Sequence, residues 1–173
     1  MTFNETIRRQ ARGEVLSHEH PGDEISGELI GSILHTDNLL GPWKIWTPSY
    51  VNLTPGNATV VARYLQLGKL VIARFRLDFG STTTIDGSNP TISAPVTARS
   101  GYAVNRTPVG QVMLRDDGVA NFVGIASLAG SLVEIRAQLA SGTHLQTAAV
   151  TATVPFTWGT SDVLAFTITY EAA

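Results

Sequence analysis

Cysteine is absent from the 173 residues, which excludes disulfides, thiol catalysis and zinc–thiolate centres together. Charge is scarce as well: Asp, Glu, Lys and Arg make up 15% of the chain, against about 25% in an average soluble domain. The 12 Lys and Arg are scattered and outnumbered by 14 Asp and Glu, for a net charge of −2. That balance supplies no basic surface for phosphates, so nucleic acid is not an expected partner. No run approaches the roughly 18 apolar residues of a membrane span, so membrane insertion is not expected either. Met1–Gly13 is polar and basic, unlike a secretory leader, and synthesis in the cytoplasm is the expectation.

The missing charge is replaced by Thr (20 residues), Ser, Asn and Gly. Threonine is β-branched and polar, which suits the wet face of a strand. The sequence changes style at Gly41-Pro42. Residues 1–41 hold His18, His20 and His35, many of the acids and few aromatics. Thr2–Arg12 fits a short helix with Phe3, Ile7 and Ala11 on one face, too short to be stable alone. Beyond it the apolar pairs, such as Leu29-Ile30 and Ile33-Leu34, are too few for a core. Residues 1–41 are therefore expected to be an extended, partly helical arm that lies against another structure.

From residue 42 the period is two. Val71, Ala73, Phe75, Leu77 and Phe79 share one face and Arg74, Arg76 and Asp78 the other. Val133, Ile135, Ala137 and Leu139 oppose Glu134, Arg136 and Gln138; Leu164, Phe166, Ile168 and Tyr170 oppose Ala165, Thr167 and Thr169. Each is the alternation of a half-buried strand. Further strands are expected at Trp43–Leu53, Thr59–Gln66, Val109–Arg115 and Val119–Ile125, with tight hairpins at Leu67-Gly68 and Asp117-Gly118. About eight strands at this spacing predict an all-β domain over 42–173, a jelly-roll-like antiparallel β-sandwich.

Catalytic signatures are missing. There is no Gly-x-Ser-x-Gly elbow and no glycine-rich phosphate cradle. Asp116-Asp117-Gly118 is ordinary turn sequence. The expectation is a protein that is not an enzyme. His18 and His20 project to one side of an extended chain. Three parallel copies would bring six imidazoles together, enough for a transition-metal ion; the alternative is a solvated turn before Pro21-Gly22-Asp23. Most of the aromatics suit a core. Tyr102 and Trp158 fall near loops and are the candidates for an exposed binding surface, together with the polar segments Gly80–Val96 and Ala140–Thr157.

Trp46-Thr47-Pro48-Ser49-Tyr50, the hairpin Ala62–Val71 and the strand Phe75–Ser81 resemble a β-domain recurring in tail-fibre, minor tail and head-decoration proteins of tailed bacteriophages. Ser161–Phe166 and the terminal Glu171 are similar to the end of that domain, and His18-x-His20-Pro21 to its His-rich turns. The resemblance implies a virion protein: a homotrimer whose arm, 1–41, joins other virion proteins while its head presents a surface to a host glycan or protein. In such trimers a His pair can hold a metal on the three-fold axis. No collagen-like or coiled-coil shaft is present, which leaves a capsid decoration without receptor binding as an alternative. A stand-alone carbohydrate-binding module is the alternative outside that setting.

Overall fold

A computed structural model describes residues 42–102 and 106–173. The expected helix Thr2–Arg12, the rest of the arm and the His18/His20 pair lie outside the described residues.

The described residues form ten strands in one antiparallel sheet that curls on itself. In chain order they are β1 (Lys44–Ile45), β2 (Tyr50–Val51), β3 (Thr59–Leu67), β4 (Leu70–Asp78), β5 (Thr91–Ser93), β6 (Thr107–Asp116), β7 (Ala120–Ala129), β8 (Leu132–Ser141), β9 (His144–Ala149) and β10 (Val163–Glu171). A single 3-10 turn, Ser100–Tyr102, precedes β6. Their spatial order is β1-β3-β4-β10-β6-β7-β8-β5-β2, with β9 on the β5 side of β8. The all-β antiparallel expectation holds. The order is dominated by hairpins between successive strands, with β10 inserted between β4 and β6; jelly-roll connectivity does not follow from it.

The alternation decides what is buried. Val71, Ala73, Phe75 and Leu77 of β4 pack against Leu164, Phe166, Ile168 and Tyr170 of β10 and the inward side chains of β6, β7 and β8. Phe75 and Phe166 stack at 5.0 Å in the middle. Two hairpins match their sequence signals: Leu67 pairs Leu70 across Gly68-Lys69, and Asp116 pairs Ala120 across Asp117-Gly118-Val119. Gly68 and Gly118 both take positive φ, 55° and 74°, which glycine adopts without steric cost.

The expected strand Trp43–Leu53 is broken into β1 and β2, and the break closes the domain. β1 pairs with β3 at one edge of the sheet, while β2 pairs with β5 at the other. Between them Trp46 donates its backbone N–H to Ala62 and its indole N–H to the carbonyl of Ser93, at 3.2 Å. Ser49 and Ser93 exchange two further bonds. Pro48, buried at the switch, has no N–H to leave unpaired. One short segment thereby bonds both edges, as happens where a strand crosses between layers.

Beyond Gly124 and Ala137 the pairing of β7 with β8 stops, and β8 continues with β9 alone. Phe122, Phe156, Trp158 and Phe79 form a chain of ring contacts of 4.5–5.5 Å beside this divergence.

Candidate functional site

Trp158 is half-buried. Its ring stacks on Phe79 at 4.7 Å and meets Phe156 at 4.5 Å, and its indole N–H is buried without a partner among the described residues. Tyr102 is half-buried and meets Tyr170 edge-on at 6.5 Å. Its hydroxyl accepts a hydrogen bond from the N–H of Glu171. Both rings are half-buried, with one side packed against the core. Aromatics near loops bury most area when they turn inward, and nothing in this chain prevents it.

The segments expected to be recognition loops are largely pinned. In Gly80–Val96, Asn57 accepts from the N–H and hydroxyl of Thr82, and Thr54 bridges to Thr84. Asp86 accepts from the hydroxyls of Thr54 and Thr84, which hold its carboxyl below the ordinary range. Ala140–Thr157 contains β9, which has no apolar alternation and gave no strand signal. Among the described residues no cluster of three His, Asp or Glu could hold a metal.

A buried polar cluster lies on β8. Glu134 was expected on the wet face, yet it is 4% exposed. It pairs with Arg106 at 2.9 Å and Arg136 at 3.3 Å, and its register neighbours are Ser127 and Thr91. Two guanidinium groups neutralise it, and the arrangement holds the layer together with no free carboxylate for chemistry.

A concave feature with free charge lies on the outer face of β3 and β4. A pocket of about 230 Å³ is lined by Trp43, Val61, Arg63, Arg74, Phe75 and Arg76. The two-residue hairpin sets the register that places Arg63 directly opposite Arg74. Arg74 lies over the ring of Trp43, 5.2 Å from its centroid. Arg76 is held by Asp78 through bonds of 2.6 and 3.0 Å. Neither Arg63 nor Arg74 has an acidic partner among the described residues. The signal for this pair was in the sequence: counting back from the turn at Gly68-Lys69 sets Arg63 against Arg74.

A separate apolar patch occupies the β6–β7 hairpin. Met113 and Val123 are direct cross-strand partners, 39% and 62% exposed, and Val119 at the turn is 77% exposed. Strand β10 separates this patch from the arginine pocket in the sheet order.

The sequence matches no protein-family model, and searches of curated proteins and of solved structures return no match.

Proposed function

We propose that this chain is a non-enzymatic virion protein of a tailed bacteriophage, in which residues 42–173 form the β-head of a homotrimer. Residues 1–41 attach it to other virion proteins, and the head offers a surface to the host. The observation that carries the reading is the exposed apolar pair Met113–Val123, with Val119 exposed at the turn of the same hairpin. Side chains of this kind, grouped at one hairpin, suit burial against a second copy of the chain. The motif Trp46–Tyr50, which closes the curled sheet, is the same stretch that resembles phage β-domains. Among the described residues no helix is long and apolar enough to cross a membrane.

Sedimentation of the full chain tests the assembly. A trimer that dissociates on Met113→Glu or Val123→Asp supports the reading; a monomer in the parent protein overturns it. Mass spectrometry of purified particles tests location, with the chain expected at fixed copy number. Deleting the gene product then separates the two virion roles. Lost adsorption indicates host binding, whereas fragile particles that adsorb normally indicate decoration.

A further inference from the structure

We infer that the pocket of Trp43, Arg63 and Arg74 binds an acidic saccharide unit, a single sugar ring bearing a carboxylate or a phosphate. The inference deepens the host-binding reading above and rests on it for its biological setting.

Three features of the pocket carry it. First, Arg63 and Arg74 face each other across β3 and β4 with no acid beside them among the described residues. Like charges directly opposite in a sheet are destabilising. Two residues along β4, Arg76 has the carboxylate of Asp78 to offset its charge. The unneutralised pair is therefore a local cost that an incoming anion removes. Second, Trp43 is 40% exposed and the guanidinium of Arg74 lies over its ring, 5.2 Å from the centroid. A contact of this kind fixes the plane of the guanidinium while its edge N–H groups stay free for a bidentate oxyanion. Third, the pocket of about 230 Å³ is smaller than the roughly 300–1,000 Å³ that encloses drug-sized ligands. One sugar ring is the appropriate scale.

The ligand class follows from the combination. Two guanidinium forks select carboxylate or phosphate over neutral hydroxyls. The indole of Trp43 and the side chain of Val61 give the C–H face of a ring something to cover. An acidic peptide would satisfy the arginines with its side-chain carboxylates and leave that surface without a ring to match it. The saccharide uses both halves of the pocket.

Tryptophan fluorescence and calorimetry on the full chain test the site. The probes are a galacturonate trisaccharide, mannose 6-phosphate, a neutral galactose trisaccharide, inorganic phosphate and a glutamate-rich peptide. Binding of one or both acidic sugars is expected, and which one binds identifies carboxylate or phosphate as the natural group. The neutral sugar should not bind. Arg63→Gln and Arg74→Gln should each weaken the acidic sugar at least about tenfold, the loss expected for a charge-assisted bidentate contact. Arg63→Gln should not lower the thermal midpoint, since it removes repulsion without touching the Trp43–Arg74 contact; a merely structural pair would show the reverse. Equal affinity in the double variant, no binding of either acidic sugar by the parent, or binding of the peptide or inorganic phosphate alone overturns the inference. These failures differ from failure of the virion reading, which is absence of the chain from particles and leaves sugar binding intact.

Discussion

Trp46 donates its indole N–H to the backbone carbonyl of Ser93, 47 residues away in sequence, at 3.2 Å. The bond ties the β1 edge of the sheet to the β5 edge, while the backbone N–H of the same residue bonds Ala62. Replacing Trp46 with Phe keeps a smaller ring against Tyr64 and Phe75 and removes the indole donor along with some contact area. The expected loss is about 1–3 kcal/mol, the cost of leaving a part-buried carbonyl unpaired. Urea unfolding measures it, and an unchanged midpoint means the closure does not depend on this bond.

Gly110 sits at the irregularity between Pro108 and Gly110 in β6. A Cβ there would lie 2.0 Å from the carbonyl oxygen of Thr167, a backbone atom that cannot swing aside. Gly110→Ala should cost more than about 3 kcal/mol or prevent folding, as severe overpacking does. Gly142→Ala, at a positive-φ turn with nothing within 4 Å, should cost only about 1 kcal/mol. Equal costs in calorimetry would show that β6 and β10 are less closely packed than the geometry requires.

Removing the carboxylate of Glu134 leaves Arg106 and Arg136 beside a buried gap. Glu134→Ala should destabilise by about 1–3 kcal/mol, below the figure for a fully buried pair because both arginines still reach water. The loss should persist in high salt, since the carboxylate itself is shielded from counterions. A deficit that salt abolishes would place Glu134 at the surface.

For Trp158 the packing predicts a stability role. Trp158→Phe retains ring contact with Phe79 and Phe156 and deletes a buried N–H that has no partner among the described residues. Stability should be unchanged within about 1 kcal/mol or improve, because the lost contact area and the removed unsatisfied donor oppose each other. Trp158→Ala should lose about 3–5 kcal/mol. A Trp158→Ala variant that folds normally but fails to adsorb to cells would identify the residue as a surface anchor.

Tyr170 sets an alkaline limit. Its hydroxyl donates to the carbonyl of Val96 at 2.7 Å and accepts from the N–H of Val96 at 3.1 Å. Burial is the main cause that pushes its pKa up from 10.0 to about 12. The folded state thus favours the neutral phenol. Its contribution is complete below the unfolded pKa of 10.0 and is lost as pH rises through about 12. Stability of the parent should fall across that window, and Tyr170→Phe should lack this part of the fall. Denaturant midpoints of the two proteins that stay parallel from neutral pH to pH 12 would rule the linkage out.

Much of the fold could be read from side-chain period. The buried rows Val71–Leu77 and Leu164–Tyr170 follow directly from alternation, because a strand with one wet face must write that pattern into its sequence. β9 could not be found this way: His144-Leu145-Gln146 are all exposed, so neither face is marked. β5 has three residues, too few for a period. Glu134 was misplaced because its burial comes from Arg106, brought in by the chain before β6, and no local pattern records that. Arg63 and Arg74 are the opposite case. Their pairing follows from the position of one turn, whereas the pocket they make also needs Trp43, which the pairing of β1 with β3 brings beside them. Tyr102 and Trp158 lie near turns in sequence, but tertiary packing decided which way their rings face.

β10 is the last of the ten strands in sequence and lies between β4 and β6 in space. During synthesis, β1 to β9 are therefore all translated before the strand that joins the two halves of the sheet exists. At about 5–20 residues per second, the β3–β4 and β6–β7–β8 hairpins wait for seconds with the apolar flanks of β4 and β6 open to water. A nascent chain stopped short of residue 163 should be as sensitive to protease as an unfolded one, and the first resistant species should coincide with release of the final strand.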